Sequence, residues 1–484
     1  MDLTHLCFAD DLFVFTKGDV QSVEILKKAL FLFQQHSGLE PSLEKCEVYF
    51  GNVSPNIKEA ILECLPFILG LFPICYLGVP LSHARLKISD YGPLIANVKS
   101  RILNWKSKFL SFGGRRQLII SVLQFIQLHW MSVFLFPSGI THDLESIFRK
   151  FLWAPREDPR GRCRLSWDMV CRPLESGGLG IRRVATWNRA LLAKYIWDIV
   201  RHRGSLWVCW IYCQNLRSSH FWTVRKNSTW SWVFRNLLDL RVQLRRFLFS
   251  QIGDGRNTNA WEDNWLNCGH LSAFISYRFI HSCVFSTTTT VHELLMSLNG
   301  VWPNDWCNRF AELGSSPLPL LNISVHDKVL WWENCLSSSD FSVSTAWAML
   351  EGNHPVVPWY KLVWFSGHIP KHAFCLWLAC QRVFLLRIVW DSILHIVGLV
   401  DMPSLWDQIV DIFSDSNRRS KLLNRKLAVA ASVFIIFGRR FGNAWPHEWI
   451  QWFPQLQHIV IPSPSPLEDT VRWLEPNQNR QPFE

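Results

Sequence analysis

The sequence predicts an α+β protein: a small antiparallel sheet backed by helices, then long and mostly helical stretches rich in aromatic residues. Two apolar runs, Leu6–Phe8 and Leu12–Phe15, flank a tight turn in "HLCFADDLFVF" and read as a pair of short strands. Behind them, Val23, Leu26, Leu30 and Phe33 recur at helical spacing. From about Ser82 onward, apolar residues keep that spacing among basic ones up to Leu152.

Each element has a local reason. Thr16-Lys17-Gly18 closes the second strand, and Asp19 is suited to cap the following helix. Glu24 precedes Lys28 by one turn, and Ser37-Gly38 offers a glycine for a left-handed cap. A strand is expected at Glu47–Gly51 and a helix from about Ile57 to Leu65. "CYLGVPL" (Cys75–Leu81) reads as a short buried strand stopped by Pro80. Further along, "SGGLGIRRVATWNRALLAKYIW" opens a helix after a glycine turn. Gly253-Asp254-Gly255 in "IGDGRNTNAWEDNW" suggests a hairpin turn, and "FSVSTAWAML" a strand entering a helix. "HIPKHAFCLWLACQRVFLL" gives a buried helix, and the stretch past Ile461 a mobile terminus. No fixed-period repeat is present.

Composition narrows the function. Over 484 residues, 49% are hydrophobic and 18% charged, which fits a globular chain with a large core. The formal net charge of +11 suits a polyanionic partner. The 27 tryptophans recur inside apolar stretches, so most are expected in the core, although tryptophan also stacks on bases. The 14 cysteines are scattered without a CxxC pair and no signal peptide precedes them, so reduced thiols, no disulfide partner and an intracellular setting are expected. The longest apolar runs, such as Leu427–Phe437, fall short of the roughly 20 residues that span a bilayer, so no membrane partner is expected.

Three features bear on chemistry. Asp10 and Asp11 are adjacent carboxylates between apolar flanks. Either the turn is solvated, or a divalent cation offsets their repulsion as in a two-metal phosphoryl-transfer site. Lys99, Arg101, Lys106, Lys108, Arg115 and Arg116 lie among apolar helix positions; they form a solvated basic face, or a surface for nucleic acid. The glycines at 253 and 255 make no phosphate loop, since no Lys-Ser/Thr follows them.

The order of motifs then adds a resemblance. "CFADDLFVF" resembles the catalytic-aspartate hairpin of reverse transcriptases, and "SGLEPSLEKCEVYFG" the next palm motif, with Lys45 at the family's lysine. "YLGVPL" resembles the primer-grip turn and "FGGRRQLIISVLQ" the thumb helix. "GGLGIRRVATWNRALLAKYIW", "IGDGRNTNAWEDNW" and "FSVSTAWAML" resemble the C-terminal extension of plant non-LTR retrotransposon polyproteins of the long-interspersed-element type. The resemblance covers roughly residues 3–460.

It implies a remnant polymerase palm sheet over 1–82 and a thumb-like basic helical region over 83–165. A connector region follows over 166–335, a truncated reverse-transcriptase zinc-binding region over 336–390, and a C-terminal helical segment over 391–484. It implies RNA-directed DNA synthesis, with Mg²⁺ on Asp10 and Asp11, Lys45 near the incoming triphosphate, and Tyr76, Leu77 and Gly78 at the primer end. An RNA template and DNA primer would be the partners, and the nucleus the place of action. The chain departs from the family pattern at Ser42, usually asparagine, and begins at the aspartate hairpin, without the fingers and the first palm aspartate. At Leu386 it passes straight to "RIVWDSILHI", leaving out the Cys-x₂-Cys knuckle. The remaining thiol and imidazole candidates, His368, His372 and Cys375, or Cys209 with Cys213, make a poor zinc set, so no zinc is expected. By itself the chain is expected to be inactive as a polymerase; the alternative is a non-catalytic, sequence-independent nucleic-acid-binding protein.

Overall fold

A computed structural model describes residues 3–82, 85–105, 110–153, 165–217, 219–333 and 337–381. In chain order the elements used below are β1 (His5–Phe8), β2 (Asp11–Val14), α1 (Val20–Ser37), β3 (Glu47–Val48), α2 (Pro55–Cys64), β4 (Ile68–Leu69), β5 (Ile74–Tyr76) and β6 (Val79–Leu81). Next come α3 (Gly92–Asn104), α4 (Phe112–Leu118), α5 (Ser138–Trp153), α6 (Val184–Val200), α7 (Trp232–Leu244) and β7 (Leu248–Gln251). Last are α8 (Val291–Ser297), β8 (Lys328–Glu333), β9 (Ser337–Ser339), α9 (Val343–Glu351) and α10 (Pro370–Cys380). Contacts gather these into two units, one from residues 1–90 with 195–340, the other from 91–194 with the described residues after 341. This grouping cuts across the five consecutive segments expected from the sequence.

The first unit starts with local chemistry as expected. Asp19 caps α1 by accepting the Ser22 amide at 2.8 Å, and Gly38 ends it with φ 71°. The expected small antiparallel sheet is instead three separate two-stranded ladders: β1–β2 and β5–β6 antiparallel, β3–β4 parallel. Strands of two to four residues carry too few ladder bonds to recruit a third neighbour by themselves. Pro80 does not stop the chain either; it lies inside β6, opposite Cys75. That pair follows the bonded Tyr76–Val79 pair at the turn, so it is a non-hydrogen-bonded pair, where a missing N–H costs nothing. Among the described residues Val23, Ile61 and Leu65 form a buried cluster in this stretch, while Phe8, Leu12 and Phe31 stay exposed.

The rest of this unit holds the larger core. Trp261, Trp265, Trp302 and Trp306 pack with Leu271, Ile280 and Leu294. Most tryptophans that the structure describes in this unit are buried, in keeping with the core reading. The Gly253–Gly255 stretch is not a hairpin turn, because β7 pairs with β8 across more than seventy residues, Gln251 facing Lys328. The loop instead wraps the Asp327 carboxylate, which accepts the amides of Gly253 (2.7 Å), Gly255 (2.9 Å) and Asn257 (3.2 Å) and the Thr258 hydroxyl (2.8 Å). Glycine is required here: a Cβ on Gly253 would meet the Val325 carbonyl at 2.2 Å, and Gly255 has φ +71°.

The second unit is helical. Leu94 and Val98 place one face of α3 in its interior, one turn apart. Asn188 on α6 accepts the Phe136 amide and donates to the carbonyls of Met131 and Phe134, so its buried amide is satisfied. Ser342 caps α9 through the Thr345 amide. Gly113 on α4 lies against the start of α10, where a Cβ would fall 2.2 Å from the Pro370 carbonyl. The turn after Ser176 holds α10 from the other side, since the Gly177 carbonyl accepts the Trp377 indole N–H at 2.8 Å. Among the described residues, no helix is long and apolar enough to cross a membrane.

Candidate functional site

In the β1–β2 ladder Phe8 faces Asp11, so Ala9 and Asp10 make the two-residue turn, with Ala9 at φ 49°. Both carboxylates are exposed, as are the neighbouring Phe8 and Leu12. The apolar flanks therefore do not bury the pair here, and solvent screens its repulsion. Side chains alternate along β2, which sets Phe13 on the same face as Asp11. On that face the Tyr76 ring meets Phe13 edge-on, with centroids 5.7 Å apart at 72°.

Tyr76 ends β5, and Leu77 (φ 50°) with Gly78 (φ 78°) forms the left-handed turn into β6. The structure thus brings the Asp10–Asp11 hairpin and the Tyr76–Gly78 turn together. Lys45 is not part of that contact. It sits exposed in a turn closed by its own amide on the Ser42 carbonyl at 3.0 Å, just ahead of β3. No hydrogen bond or ion pair among the described residues joins it to Asp10 or Asp11. A metal centre needs more than this pair: no group of three or more His, Cys, Asp or Glu side chains comes together among the described residues. Two exposed carboxylates do not by themselves make a two-metal site.

The basic cluster divides. Lys99 and Arg101 lie exposed on α3, and Lys106 and Lys108 fall outside the described residues. Arg115 and Arg116 do not belong to a solvated face. They are 2% and 8% exposed, which corrects the expectation from spacing. Arg115 donates to the Phe151 carbonyl at 3.4 Å and lies over the Phe112 ring. Arg116 donates through Nε to the Leu179 carbonyl at 2.7 Å and sits 4.7 Å from the centre of the Trp364 ring. Burial lowers the Arg116 pKa to about 10, still protonated at neutral pH. Carbonyls and a ring face take the place of water around the cation. The sequence carried no signal for this, because every partner but Phe112 lies more than thirty residues away.

For zinc, the described residues also fit poorly. His368 bonds through Nδ1 to the Phe365 carbonyl at 2.8 Å. Burial pushes the His372 pKa down and the Cys380 thiol up, and the side chain of Cys375 lies outside those described. Cys209 and Cys213 are exposed, and no third donor joins them among the described residues. The stretch from Leu386 into "RIVWDSILHI" lies outside the described residues.

Three similarities to known proteins bear on this arrangement. A family described as zinc-binding in reverse transcriptase matches residues 341–391, the segment that contains α9 and α10. A protein of Arabidopsis thaliana named "putative ribonuclease H protein" is 31% identical over 194 residues, 39% of this chain and 31% of that protein. An "uncharacterized mitochondrial protein" of the same plant is 28% identical over 142 residues, 29% of this chain and 92% of that protein. The chain thus matches about a third of the first relative's length and most of the second's. Together these matches support a reverse-transcriptase-derived region related to plant retrotransposon proteins.

Proposed function

We propose that this reverse-transcriptase-derived chain binds nucleic acid and, by itself, does not polymerise. The observation that carries the second half is the bare Asp10–Asp11 turn: two exposed carboxylates without a third donor among the described residues. Two-metal transfer needs ions held on more than one side, and positioning of the triphosphate besides. In the family that the motifs resemble, Asp10, Asp11 and the Tyr76 turn would belong to a polymerase site with Mg²⁺ as cofactor, RNA as template and DNA as primer. Lys45 would need a rearrangement to reach an incoming triphosphate. The first half rests on the net charge of +11 and on Lys99 and Arg101, which are free to meet phosphates on the surface of α3.

Primer extension on an RNA template with Mg²⁺ tests the reading. The expected result is background extension, the same for the wild type and for Asp10→Ala. Extension that Asp10→Ala abolishes would overturn it. Fluorescence anisotropy with labelled RNA and DNA tests the binding: affinity should fall steeply as salt rises, because each neutralised phosphate releases counterions. An affinity that ignores salt would remove the electrostatic basis of the proposal.

A further inference from the structure

The first unit contains a cleft of about 1350 Å³ whose walls come entirely from residues 200–340. It exceeds the roughly 300–1,000 Å³ typical of pockets that hold drug-sized ligands, so a polymer segment suits it better than a small metabolite. Its charges are arranged in two layers. Three carboxylates lie in the walls, each already occupied. Glu262 accepts from the Arg245 guanidinium (3.0 Å), the Ser272 hydroxyl (3.1 Å) and the Tyr277 hydroxyl (2.7 Å). Asp263 accepts from the Trp222 indole (3.0 Å) and the Asn259 amide (2.8 Å). Asp327 holds the glycine loop through four hydrogen bonds. The fourth carboxylate, Asp340, is exposed and lies 3.9 Å from Arg201.

The cations are arranged the other way. Arg217, Arg225, Arg256 and Lys328 line the same cleft, are exposed, and make no side-chain hydrogen bond or ion pair among the described residues. Lys328 follows Asp327 directly, and Arg256 sits in the loop that Asp327 anchors, so the acid fixes the backbone that presents both cations. Tyr277 lines the cleft as well, 46% exposed, with its hydroxyl tied to Glu262. Exposed hydroxyl and amide donors, Thr223, Asn257 and Thr288 among them, complete the lining.

We infer that this cleft takes a single-stranded nucleic-acid segment, with phosphates on Arg217, Arg225, Arg256 and Lys328 and a base on the Tyr277 ring. Unpaired cations along a groove and a fixed ring are the two parts that such binding uses. A duplex keeps its bases stacked inside and offers none to a ring in a concave wall. The inference rests on the nucleic-acid reading above and assigns it a site that the basic run in the sequence did not include.

The test uses the full chain and a fluorescein-labelled DNA strand of about 12 nucleotides, within the range that one single-strand-binding fold covers. The triple variant Arg225→Gln, Arg256→Gln, Lys328→Gln is expected to bind at least about 10-fold more weakly at about 50 mM salt. Its log–log salt slope should be shallower by about 2, three lost contacts at roughly 0.7 each for a single strand. Tyr277→Leu should weaken binding several-fold, and Tyr277→Phe, which keeps the ring but not its tie to Glu262, should weaken it less. Each single charge substitution is expected to cost about 3-fold, so a triple variant that misfolds leaves the test intact. If the wild type binds and the triple variant binds equally well, the cleft assignment is overturned and the nucleic-acid reading stands. Preference for duplex, or displacement by polyglutamate as effective as by unlabelled strand, overturns the assignment as well. No binding at about 50 mM salt overturns both.

Discussion

The carbonyl of Gly177 accepts the indole N–H of Trp377 at 2.8 Å, tying a glycine turn to a helix two hundred residues further along. The same oxygen accepts the Gln381 amide at 2.6 Å. Gly177 holds φ +83° to aim that carbonyl, and the next residue, Gly178, has no room for a Cβ, which would fall 1.9 Å from the Arg172 carbonyl. Trp377 is fully buried, so its N–H would otherwise be stranded. Trp377→Phe should cost about 2 kcal/mol, from a lost hydrogen bond and a small void. Gly178→Ala should cost more, since backbone must move to admit the methyl. Urea midpoints measure both, and an unchanged midpoint for Gly178→Ala would contradict the packing described.

Arg116 makes a second expectation. It is buried, bonded to the Leu179 carbonyl and seated over Trp364. Arg116→Met should lower stability by about 1–3 kcal/mol, because it leaves that carbonyl and the ring face without the cation. It should leave the affinity for nucleic acid and its salt slope unchanged. Lys99→Gln with Arg101→Gln should do the reverse, with a shallower slope and an unchanged urea midpoint. A drop in affinity for Arg116→Met at full stability would return Arg116 to the surface.

These two cases show which parts of the fold were legible in the sequence. The α1 helix was, because its caps at Asp19 and Gly38 act through residues three and four positions away. The aspartate turn was legible too, a local device with Ala9 at positive φ, but residues 75–81 read as one strand and fold as two around Leu77-Gly78. The contact between these two turns through Phe13 was not legible, as it joins strands more than sixty residues apart. Arg115 and Arg116 misled for the same reason: a basic residue at a helical position looks alike whether water or a distant carbonyl satisfies it. Asp327 gave no signal at all, although it organises the loop that carries Arg256.

Asp327 can be tested directly. Asp327→Asn keeps one carbonyl oxygen for Gly253 and Gly255 but turns an NH₂ toward the Asn257 amide, donor against donor. The loop should lose about 1–3 kcal/mol of local stability. Hydrogen exchange at the amides of Gly253, Gly255 and Asn257 should speed up together, while the amides of α7 and α8 stay protected. Unchanged exchange would mean that the loop does not depend on this carboxylate.

Metal content is a further expectation. The segment that matches a zinc-binding family places His368 on a carbonyl and brings no three donors together among the described residues. A structural zinc requires four ligands with deprotonated thiols. Purified protein dialysed against metal-free buffer should hold well under one zinc per chain. A stoichiometric value would require a ligand set that includes residues beyond those described.

The last expectation concerns acid, and His270 carries its sign. Burial, and after it the Arg245 guanidinium, hold the His270 imidazolium back, so its pKa drops from 6.5 to about 4, while Glu262 acts in the opposite direction. Its ring bonds the Ser272 hydroxyl at 3.0 Å, and that hydroxyl reaches Glu262. As pH falls below 6.5, the unfolded chain takes up this proton and the folded chain does not. The His270 contribution is therefore complete above pH 6.5, is lost progressively between 6.5 and about 4, and changes no further below that. His270→Gln has no such proton to take up. Its deficit against the wild type, read from urea midpoints, should be larger at about pH 7.5 than at about pH 4.5. Comparing the two proteins at each pH cancels the many carboxylates that also titrate in this range, because they are common to both. A deficit that stays constant, or grows on acidification, would show that His270 is not held neutral against Arg245.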